Sequence, residues 1–592
     1  MTAHLLALTV GPVQEFIAAA RRTRDLWFGS HLLSEISKAV ARSVRDDGGE
    51  LIFPHPDSDL TPGPDTNIAN VIVAVIPADK SKPVEIAGTA KQSAKACWRT
   101  FAAGVMKDDV IAAVIRPAIW TEQVDDVVEF YAAWVPLGDD YRAARAGVMR
   151  LLAGRKNCRD FVQAERHPGL PKSSLDGMRD TVLLGPRAGE DPRTYRDSWP
   201  GEARRRLRVR NGEQLDVIGV VKRVAGGDKP YPSVARVAAD PWIRGREGRL
   251  GVVIAECKRL GPAVIRGLNV YENGHPHYAA FPYEGTAVFR SRHYELEQEA
   301  GLDEGSLRPL TKAVAGLGEP NPYLAAILAD GDNMGKTISE LACADQHREF
   351  SATLARFAAE AKRIVEKNNH GVLVYSGGDD VLAFVPVDQC LDCARELHDT
   401  FGDLLKAPAE KAGTTITLSV GVAIGHFMEN LEDLREYARA AEKHAKKPDV
   451  NGVKDALAVH LHKRGGSPIK VRAKWTDRLD ARLKQFAEWL RDDTIPNRLA
   501  ADLNRMADVY DGWRRDDETA KQRVKEAIER DVLRVIAANQ RHGGGSLRER
   551  LRPVLDCVTD AAALRQLAEE LLIARQIAAA LQVATHTNES DQ

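Results

Sequence analysis

Three aspartates in two short segments have suitable chemistry to hold divalent cations. Asp330 follows an apolar run, Tyr323 to Leu328, that is typical of a buried strand. Asp379 and Asp380 lie in the string VLVYSGGDDVLAFV, where a Gly-Gly pair between two β-rich runs predicts a hairpin. If the hairpin lies beside the strand, three carboxylates meet at one sheet edge, where they repel one another unless cations bind them. A solvent-exposed turn is the alternative, because such turns are common.

Magnesium is the ion that this arrangement predicts. Mg²⁺ is hard, keeps several waters, and is usually held by one or two carboxylates together with substrate phosphates. Two such ions about 3.5 to 4 Å apart can activate a hydroxyl and stabilise a leaving pyrophosphate during in-line displacement. The aspartates therefore predict nucleotidyl transfer.

A phosphate site is predicted beside these aspartates. Gly331 permits a tight turn after the strand, and residues 333–342 are typical of a helix with Lys336 near its positive end. The string GDNMGKT superficially resembles a Walker loop. That motif needs a glycine five residues before its Gly-Lys pair, and the residue at that position is Asp330.

Length and composition exclude several classes of protein. A chain of 592 residues predicts three to five domains. Its formal net charge of −1, from 83 basic and 84 acidic side chains, argues against a general cationic coating for nucleic acid. Seven scattered cysteines indicate reduced thiols rather than a disulfide framework, and no apolar run reaches the length of about 18 residues typical of a membrane span. We therefore expect a cytoplasmic protein whose RNA contacts, if any, are local.

The start of the chain repeats the plan of the Asp330 segment. Residues 3–10 predict a strand, which Gly11 and Pro12 turn into a long helix through about Arg45. Aligning LLALTVGPVQEF with LAAILADGDNMG at Gly11 and Gly331 places Val10 where Asp330 stands, so the first copy lacks the carboxylate. Further along, residues 46–67 predict a surface loop, NVIVAVI predicts a strand, and residues 90–106 and 124–152 predict helices.

Two strings resemble a known family. YLAAILADGDNMGK and YSGGDDVLAFVP resemble the palm domain of the large subunit of type III CRISPR effector complexes, particularly of the Cmr type. GPVQEFIAAARRTRDLWFGSHLLSEI, GEQLDVIGVVKR, TLSVGVAIGH and KRGGSP agree, and together the strings span most of residues 1–470. The resemblance implies an α+β multidomain chain with two ferredoxin-like, nucleotide-cyclase-like palms plus helical domains. We predict a silent first palm (1–125), a mixed, mainly helical domain with a degenerate zinc-knuckle site (126–316), a second palm with the GGDD site (317–468) and an all-helical domain (469–592).

The resemblance also implies an activity, namely RNA-activated synthesis of cyclic oligoadenylates from ATP. The 3′-hydroxyl of one ATP attacks the α-phosphorus of another, while the three aspartates hold Mg²⁺ or Mn²⁺. The predicted nucleotide contacts are Ser376, Gly377, Gly378, Lys336 and Lys446. Ala445 and Lys446 match an Ala-Lys pair of related cyclase palms, although a solvated helix end is an equal alternative. The implied partners are guide RNA, target RNA and other subunits of the complex, without a membrane.

The chain departs from the family pattern in two places. Ser173 and Asp176 stand where the family commonly has the thiolates of a KCxxCG zinc knuckle, so we predict no zinc there. Many relatives carry a metal-dependent HD nuclease before the first palm, whereas here the first strand begins at once. The His398–Asp399 doublet lacks further ligands on neighbouring helices, so we predict no DNA cleavage.

Some features leave alternatives open. The arginines of RRTRD (21–25) and of RRRLRVR (204–210) are more typical of solvated faces than of ligands, and contact with RNA or a partner is the alternative for the second run. A structural subunit that binds nucleotide without turnover, and a free-standing nucleotide cyclase, are the competing functions. ATP binding without turnover would favour the former, and activity without RNA the latter.

Overall fold

A computed structural model gives the fold of the chain. It describes residues 2–63, 67–80, 82–158, 167–186, 189–209, 212–226, 231–268, 276–513, 517–539 and 558–585, with Arg552 and Leu555. In that part of the chain, no helix combines the length and the apolar character needed to cross a bilayer.

The first part of the chain folds around a four-stranded antiparallel sheet with the order β2-β3-β1-β4. The strands are β1 (His4–Gly11), β2 (Glu50–Phe53), β3 (Val71–Ile76) and β4 (Glu129–Pro136). The helices are α1 (Gln14–Ala18), α2 (Thr23–Asp46), α3 (Pro83–Met106), α4 (Asp109–Ala112), α5 (Pro117–Asp125) and α6 (Tyr141–Asn157). Alternate residues of β1 enter two cores: Leu6 and Leu8 pack with α2 and α3, whereas Leu5 and Ala7 pack with α6.

Three expectations for this region were wrong. The predicted long helix is two helices, because the chain breaks at residues 19–22 and the buried Lys222 donates to the carbonyl of Ala19. Strand β2 lies within the predicted surface loop. Strand β4 lies within the predicted helix 124–152, because its aromatic and β-branched residues pair with β1 along its whole length. The fourth strand therefore continues the first unit beyond the predicted boundary at residue 125.

The helices between the two sheets do not share one core. They are α7 (Gly201–Leu207), α8 (Val217–Val224), α9 (Val234–Arg244), α10 (Gly251–Leu260), α11 (His293–Ala300) and α12 (Arg308–Ala315). The apolar residues of α7 and α8 join the core under the first sheet, whereas those of α9, α10 and α12 join a core under the second. This segment therefore bridges the two sheets.

The second sheet has six strands in the order β10-β9-β8-β5-β7-β6. They are β5 (Tyr323–Asp332), β6 (Val372–Ser376), β7 (Val381–Pro386), β8 (Thr417–His426), β9 (Ala456–Leu461) and β10 (Ile469–Lys474). Its helices are α13 (Met334–Glu340), α14 (Ala344–Arg363), α15 (Cys390–Lys411) and α16 (Leu431–Ala445). The strand order of β5 to β8 repeats that of β1 to β4. Strand β10 extends the sheet past the predicted boundary at residue 468.

Helices dominate after β10. They are α17 (Leu479–Arg491), α18 (Leu499–Tyr510), α19 (Glu518–Asn539) and α20 (Ala561–Thr585). Their apolar faces belong to the same core as one face of the second sheet. The Arg482 guanidinium donates to both oxygens of the buried Glu570 carboxylate at 2.6 and 2.8 Å, which fixes α17 against α20.

Candidate active site

The register of the second sheet brings the three aspartates together. Strand β5 lies between β7 and β8, and Ala329 of β5 is paired with Val381 of β7. Because the strands are antiparallel, Asp330 and Asp380 are the next residues along this ladder. The ligand atoms of Asp330, Asp379 and Asp380 all lie within 4.8 Å of one another. The predicted convergence of these carboxylates is therefore present.

Two glycines allow this close approach. In the turn between β6 and β7, the Gly377 N–H donates to the carbonyl of Asp380 at 3.0 Å, and Gly378 has a φ of 107° that favours glycine. A Cβ at Gly331 would lie 3.0 Å from the Cβ of Asp379 and 2.7 Å from the Cγ of Met334. Glycine at position 331 thus leaves room for the Asp379 side chain beside the strand.

The carboxylates raise each other's affinity for positive charge. Partial burial, followed by repulsion from Asp380, raises the pKa of Asp379 to about 7. Asp380 is more exposed, yet partial desolvation also raises the pKa of its carboxyl. Hard oxygen ligands at this spacing fit one or two divalent cations such as Mg²⁺ or Mn²⁺, which would remove the repulsion. Asp330, Asp379 and Asp380 are the residues that would hold them.

The ammonium group of Lys446 contacts the acidic cluster. It follows α16, and its ammonium group forms an ion pair with Asp330 and donates to the carbonyl of Gly331 at 3.4 Å. Burial, followed by the charge of Lys454, lowers the pKa of Lys446 to about 8 despite this ion pair. The carboxylate of Glu442 lies 3.9 Å away. The predicted phosphate lysine is therefore adjacent to the aspartates.

A buried fourth aspartate was missed by the sequence analysis. Oδ2 of Asp332 accepts hydrogen bonds from Ser419 Oγ (2.7 Å), Thr417 Oγ1 (2.9 Å) and the Asp455 N–H (3.3 Å). Its Oδ1 has no hydrogen-bond partner among the described residues. Burial raises the pKa of this carboxyl. The two-residue period of a strand, which puts positions 330 and 332 on one face, was the signal available for it.

Asp332 and β10 hold the loop that carries Lys446. Arg472 of β10 donates to the carbonyls of Ala445 (3.3 Å) and Lys447, and Lys474 forms an ion pair with Asp449. The Asp449 carboxylate accepts the Asn451 N–H at 2.8 Å, which shapes the turn. The loop between α16 and β9 is thus fixed at both ends by charged hydrogen bonds.

The remaining predicted contacts surround the hairpin. Ser376 is buried, and its Oγ makes no hydrogen bond in the described part of the chain. Gly377 faces open space, since no atom lies within 4 Å of a Cβ built there. Lys336 is exposed on α13 and forms no ion pair with the described acidic residues, so its contact with phosphate stays a prediction.

Comparison with known proteins identifies the family. The model of the Cas10/Cmr2 second palm domain matches residues 323–458, which contain the acidic cluster and Lys446, and the model of the CRISPR-associated protein Cmr2 N-terminal region matches residues 5–103. The CRISPR system Cmr subunit Cmr2 of Pyrococcus furiosus is 23% identical over 643 aligned residues, covering 92% of this chain and 70% of the relative.

Two solved structures share the fold. They are the type III-B Cmr-beta complex in its apo state (TM-score 0.64, 13% identity, 92% of this chain and 78% of the other) and the same type of complex bound to cognate target RNA (TM-score 0.65, 13% identity, 91% and 79%). The motifs, both family models and the relative all indicate one kind of subunit. The chain therefore belongs to the Cas10/Cmr2 family, the large subunits of type III-B (Cmr) CRISPR effector complexes.

Proposed function

We propose that this subunit synthesises cyclic oligoadenylates from ATP by metal-dependent nucleotidyl transfer. The observation that carries the proposal is the convergence of Asp330, Asp379 and Asp380, from two separate segments, within 4.8 Å of one another. A cluster of this kind, with a lysine beside it, fits the binding of a nucleoside triphosphate together with cations.

Each residue has a separate role in this proposal. The three aspartates hold Mg²⁺ or Mn²⁺. The metals, when bound, lower the pKa of the attacking 3′-hydroxyl and stabilise the negative charge of the leaving pyrophosphate. Lys446 neutralises phosphate oxygens, and Gly377 leaves open space for the nucleotide. Asp332, Arg472 and Lys474 position Lys446 by fixing its loop.

We also propose that RNA controls this activity. The Cmr-beta complex of similar fold binds cognate target RNA, and the Pyrococcus relative is a subunit of a Cmr system. By extension, this chain assembles with other Cmr subunits and guide RNA, and target RNA acts as the trigger. The first unit, which extends to Pro136, is then the palm-like partner, and its described residues form no carboxylate cluster suited to a metal ion. In this proposal, nucleotides lie between the facing palms.

The decisive experiment uses the assembled complex with radiolabelled ATP, Mg²⁺ or Mn²⁺, and target RNA. We expect cyclic products from the wild type and none from the double variant Asp379→Ala/Asp380→Ala. The matched control is Asp403→Ala, because Asp403 is an exposed acidic residue on α15 with no ion pair among the described residues. A double variant with normal product yield would remove the proposal.

The same experiment separates the alternative functions. ATP binding without any turnover in the presence of target RNA would indicate a structural subunit. Turnover by the isolated chain without RNA would indicate a free-standing cyclase. Mass spectrometry of the products gives the ring size, which the residues of the site do not determine.

A further inference from the structure

The histidine–aspartate doublet of α15 connects this helix to the loop beside the acidic cluster. Nδ1 of His398 lies 2.8 Å from Asp399 Oδ1, and Nε2 lies 2.9 Å from Asp455 Oδ1. Asp399 belongs to the same helix, whereas Asp455 is the last residue of the loop between α16 and β9. This doublet, for which the sequence predicts no nuclease role, therefore has a partner far along the chain.

The two contacts favour a charged ring. A carboxylate accepts hydrogen bonds and does not donate them, so an imidazole between two carboxylates donates from both nitrogens, as it does only when protonated. The side chain of His398 is 17% exposed and that of Asp455 is 24% exposed, compared with 54% for Asp399. Charge-assisted hydrogen bonds are stronger where water is excluded, so the contact with Asp455 is the stronger of the two.

Trp475 fixes the position of the imidazole ring. The centroids of the His398 and Trp475 rings are 4.5 Å apart, and the ring planes are tilted by 32°. The indole N–H of Trp475 donates to the carbonyl of Leu418 in β8 at 3.0 Å, and its backbone N–H donates to the carbonyl of Asp455 at 3.2 Å. Asp455 is thus held through its backbone and, by His398, through its side chain.

Asp455 is also hydrogen-bonded to the strand that carries the acidic site. Its N–H donates to Oδ2 of the buried Asp332 at 3.3 Å, and Asp332 lies two residues after Asp330 on β5. Asp455 has a φ of 37°, which is uncommon for a residue other than glycine. Such a backbone persists only where its surroundings hold it, and the contact with His398 is one of those that do so.

We propose that His398 is a positioning residue for Lys446 and that it acts through Asp455. The loop of residues 446–455 begins at Lys446, whose ammonium group lies at the acidic cluster, and ends at Asp455. Side chains of β10 hold the first part of this loop, and the His398 ring holds its last residue. Without the ring contact the loop moves, and Lys446 loses its fixed position at the substrate phosphates. This role rests on the nucleotidyl transfer proposed above.

The first measurement is hydrogen–deuterium exchange of the full chain without nucleotide or metal. His398→Phe keeps a ring against Trp475 but removes both donors, so we expect exchange in residues 446–455 to rise roughly tenfold, as for the loss of one charge-assisted hydrogen bond. The matched control is Asp399→Asn, because a neutral imidazole still donates from Nε2 to Asp455 and exchange should stay unchanged. Thermal melting confirms that each variant is folded.

The second measurement is turnover by the assembled complex with target RNA and Mg²⁺. His398→Phe should raise the KM for ATP roughly tenfold and change kcat by less than about threefold, because Lys446 contacts the phosphates in the bound substrate as well as in the transition state. Asp455→Gly removes the carboxylate and tolerates the left-handed backbone. In that background, His398→Phe should have no further effect on the KM, since both changes remove one contact.

Three results would overturn the proposal: unchanged exchange of the loop in folded His398→Phe, a more mobile loop with an unchanged KM, or additive effects of the two substitutions. Absence of product from the wild-type complex would instead refute the proposed function. The affinity of the full chain for ATP with Mn²⁺ would then replace the KM, and the exchange measurement would be unaffected.

Discussion

The two sheets share a strand order but differ at the end of their central strand. Strand β5 carries Asp330 two residues before its end, and this residue is half-buried beside two further carboxylates. Strand β1 reaches Val10, which is 1% exposed and packs in an apolar core. The connection between the neighbouring strands also differs, since residues 377–380 join β6 to β7 whereas residues 54–70 join β2 to β3. The short turn between β6 and β7 holds acidic side chains next to the central strand. The strand order that the two sheets share does not by itself bring acidic side chains there.

The largest effect is expected from removing the charge of Asp330, near the end of β5. Asp330→Asn should lower nucleotidyl transfer on the order of 10³-fold, about 4 kcal/mol of transition-state stabilisation, because the cluster loses a metal ligand. Binding of Mn²⁺, measured by electron paramagnetic resonance, should weaken in parallel. Asp403→Asn serves as the control, and an Asp330→Asn variant with wild-type affinity for Mn²⁺ would contradict the assignment.

Introducing an aspartate at the corresponding position of β1 should not create a metal site in the first sheet. Val10→Asp places an unpaired carboxylate in an apolar core, so we expect the free energy of unfolding to fall by about 3 kcal/mol or more. Chemical denaturation would measure this loss, and no new Mn²⁺ site should form. A stably folded Val10→Asp variant that binds additional Mn²⁺ would contradict this expectation, because the end of β1 would then hold a metal as the end of β5 is expected to.

The position of Lys446 in the second sheet depends on the close packing of α16 on β8. A Cβ at Gly421 would lie 2.1 Å from the backbone nitrogen of Glu442, so Gly421→Ala must push α16 and Lys446 away from the sheet. We expect a loss of about 2 kcal/mol in unfolding free energy and reduced turnover. Gly402→Ala is the control, because no atom lies within 4 Å of its Cβ and it lies inside a helix. Equal stability of both variants would refute the close contact.

The contact between the two units should respond to acid. Tyr141 of α6 hydrogen-bonds His347 of α14 at 2.7 Å, and burial, followed by Arg145, lowers the pKa of His347 to about 3. Since the unfolded imidazole has a pKa near 6.5, the unfolded state takes up the proton first as the pH falls. Stability should therefore decrease below pH 6.5 by about 1.4 kcal/mol per unit.

Denaturation at several pH values between 5 and 7 would measure this dependence. The His347→Asn variant should lack that part of the slope, because it has no group that titrates in this range. Identical slopes for the variant and the wild type would contradict a buried neutral imidazole between the units.

Secondary structure was predicted correctly from the sequence where the local residue pattern and the long-range strand pairing agree. The β6–β7 hairpin was predicted because Gly377 and Gly378 separate two β-rich runs, and it pairs with β5 as expected. Strand β4 was mistaken for helix because its alanines and flanking segments favour helix, whereas pairing with β1 decides the outcome. Strand β10 was missed although apolar and cationic residues alternate along it.

Side-chain direction explains the gaps in the predicted site. Lys446 was predicted from the resemblance of Ala445 and Lys446 to an Ala-Lys pair of related cyclase palms. Glu442 was not predicted, because its place depends on how α16 packs against Gly421. Asp332 was overlooked because its function depends on partners in β8 and in the loop before β9, which are far away in the sequence. A single sequence does not record such tertiary partners.

The tether between Arg472 and the end of α16 has a mechanical consequence. Asp379 and Asp380 lie in the hairpin on one flank of the second sheet, whereas the backbone on either side of Lys446 is hydrogen-bonded to β10, the outermost strand on the other flank. The hairpin carboxylates and the loop of Lys446 are therefore attached to opposite edges of one twisted sheet. A change in the twist of the sheet would therefore alter the distance between these carboxylates and Lys446.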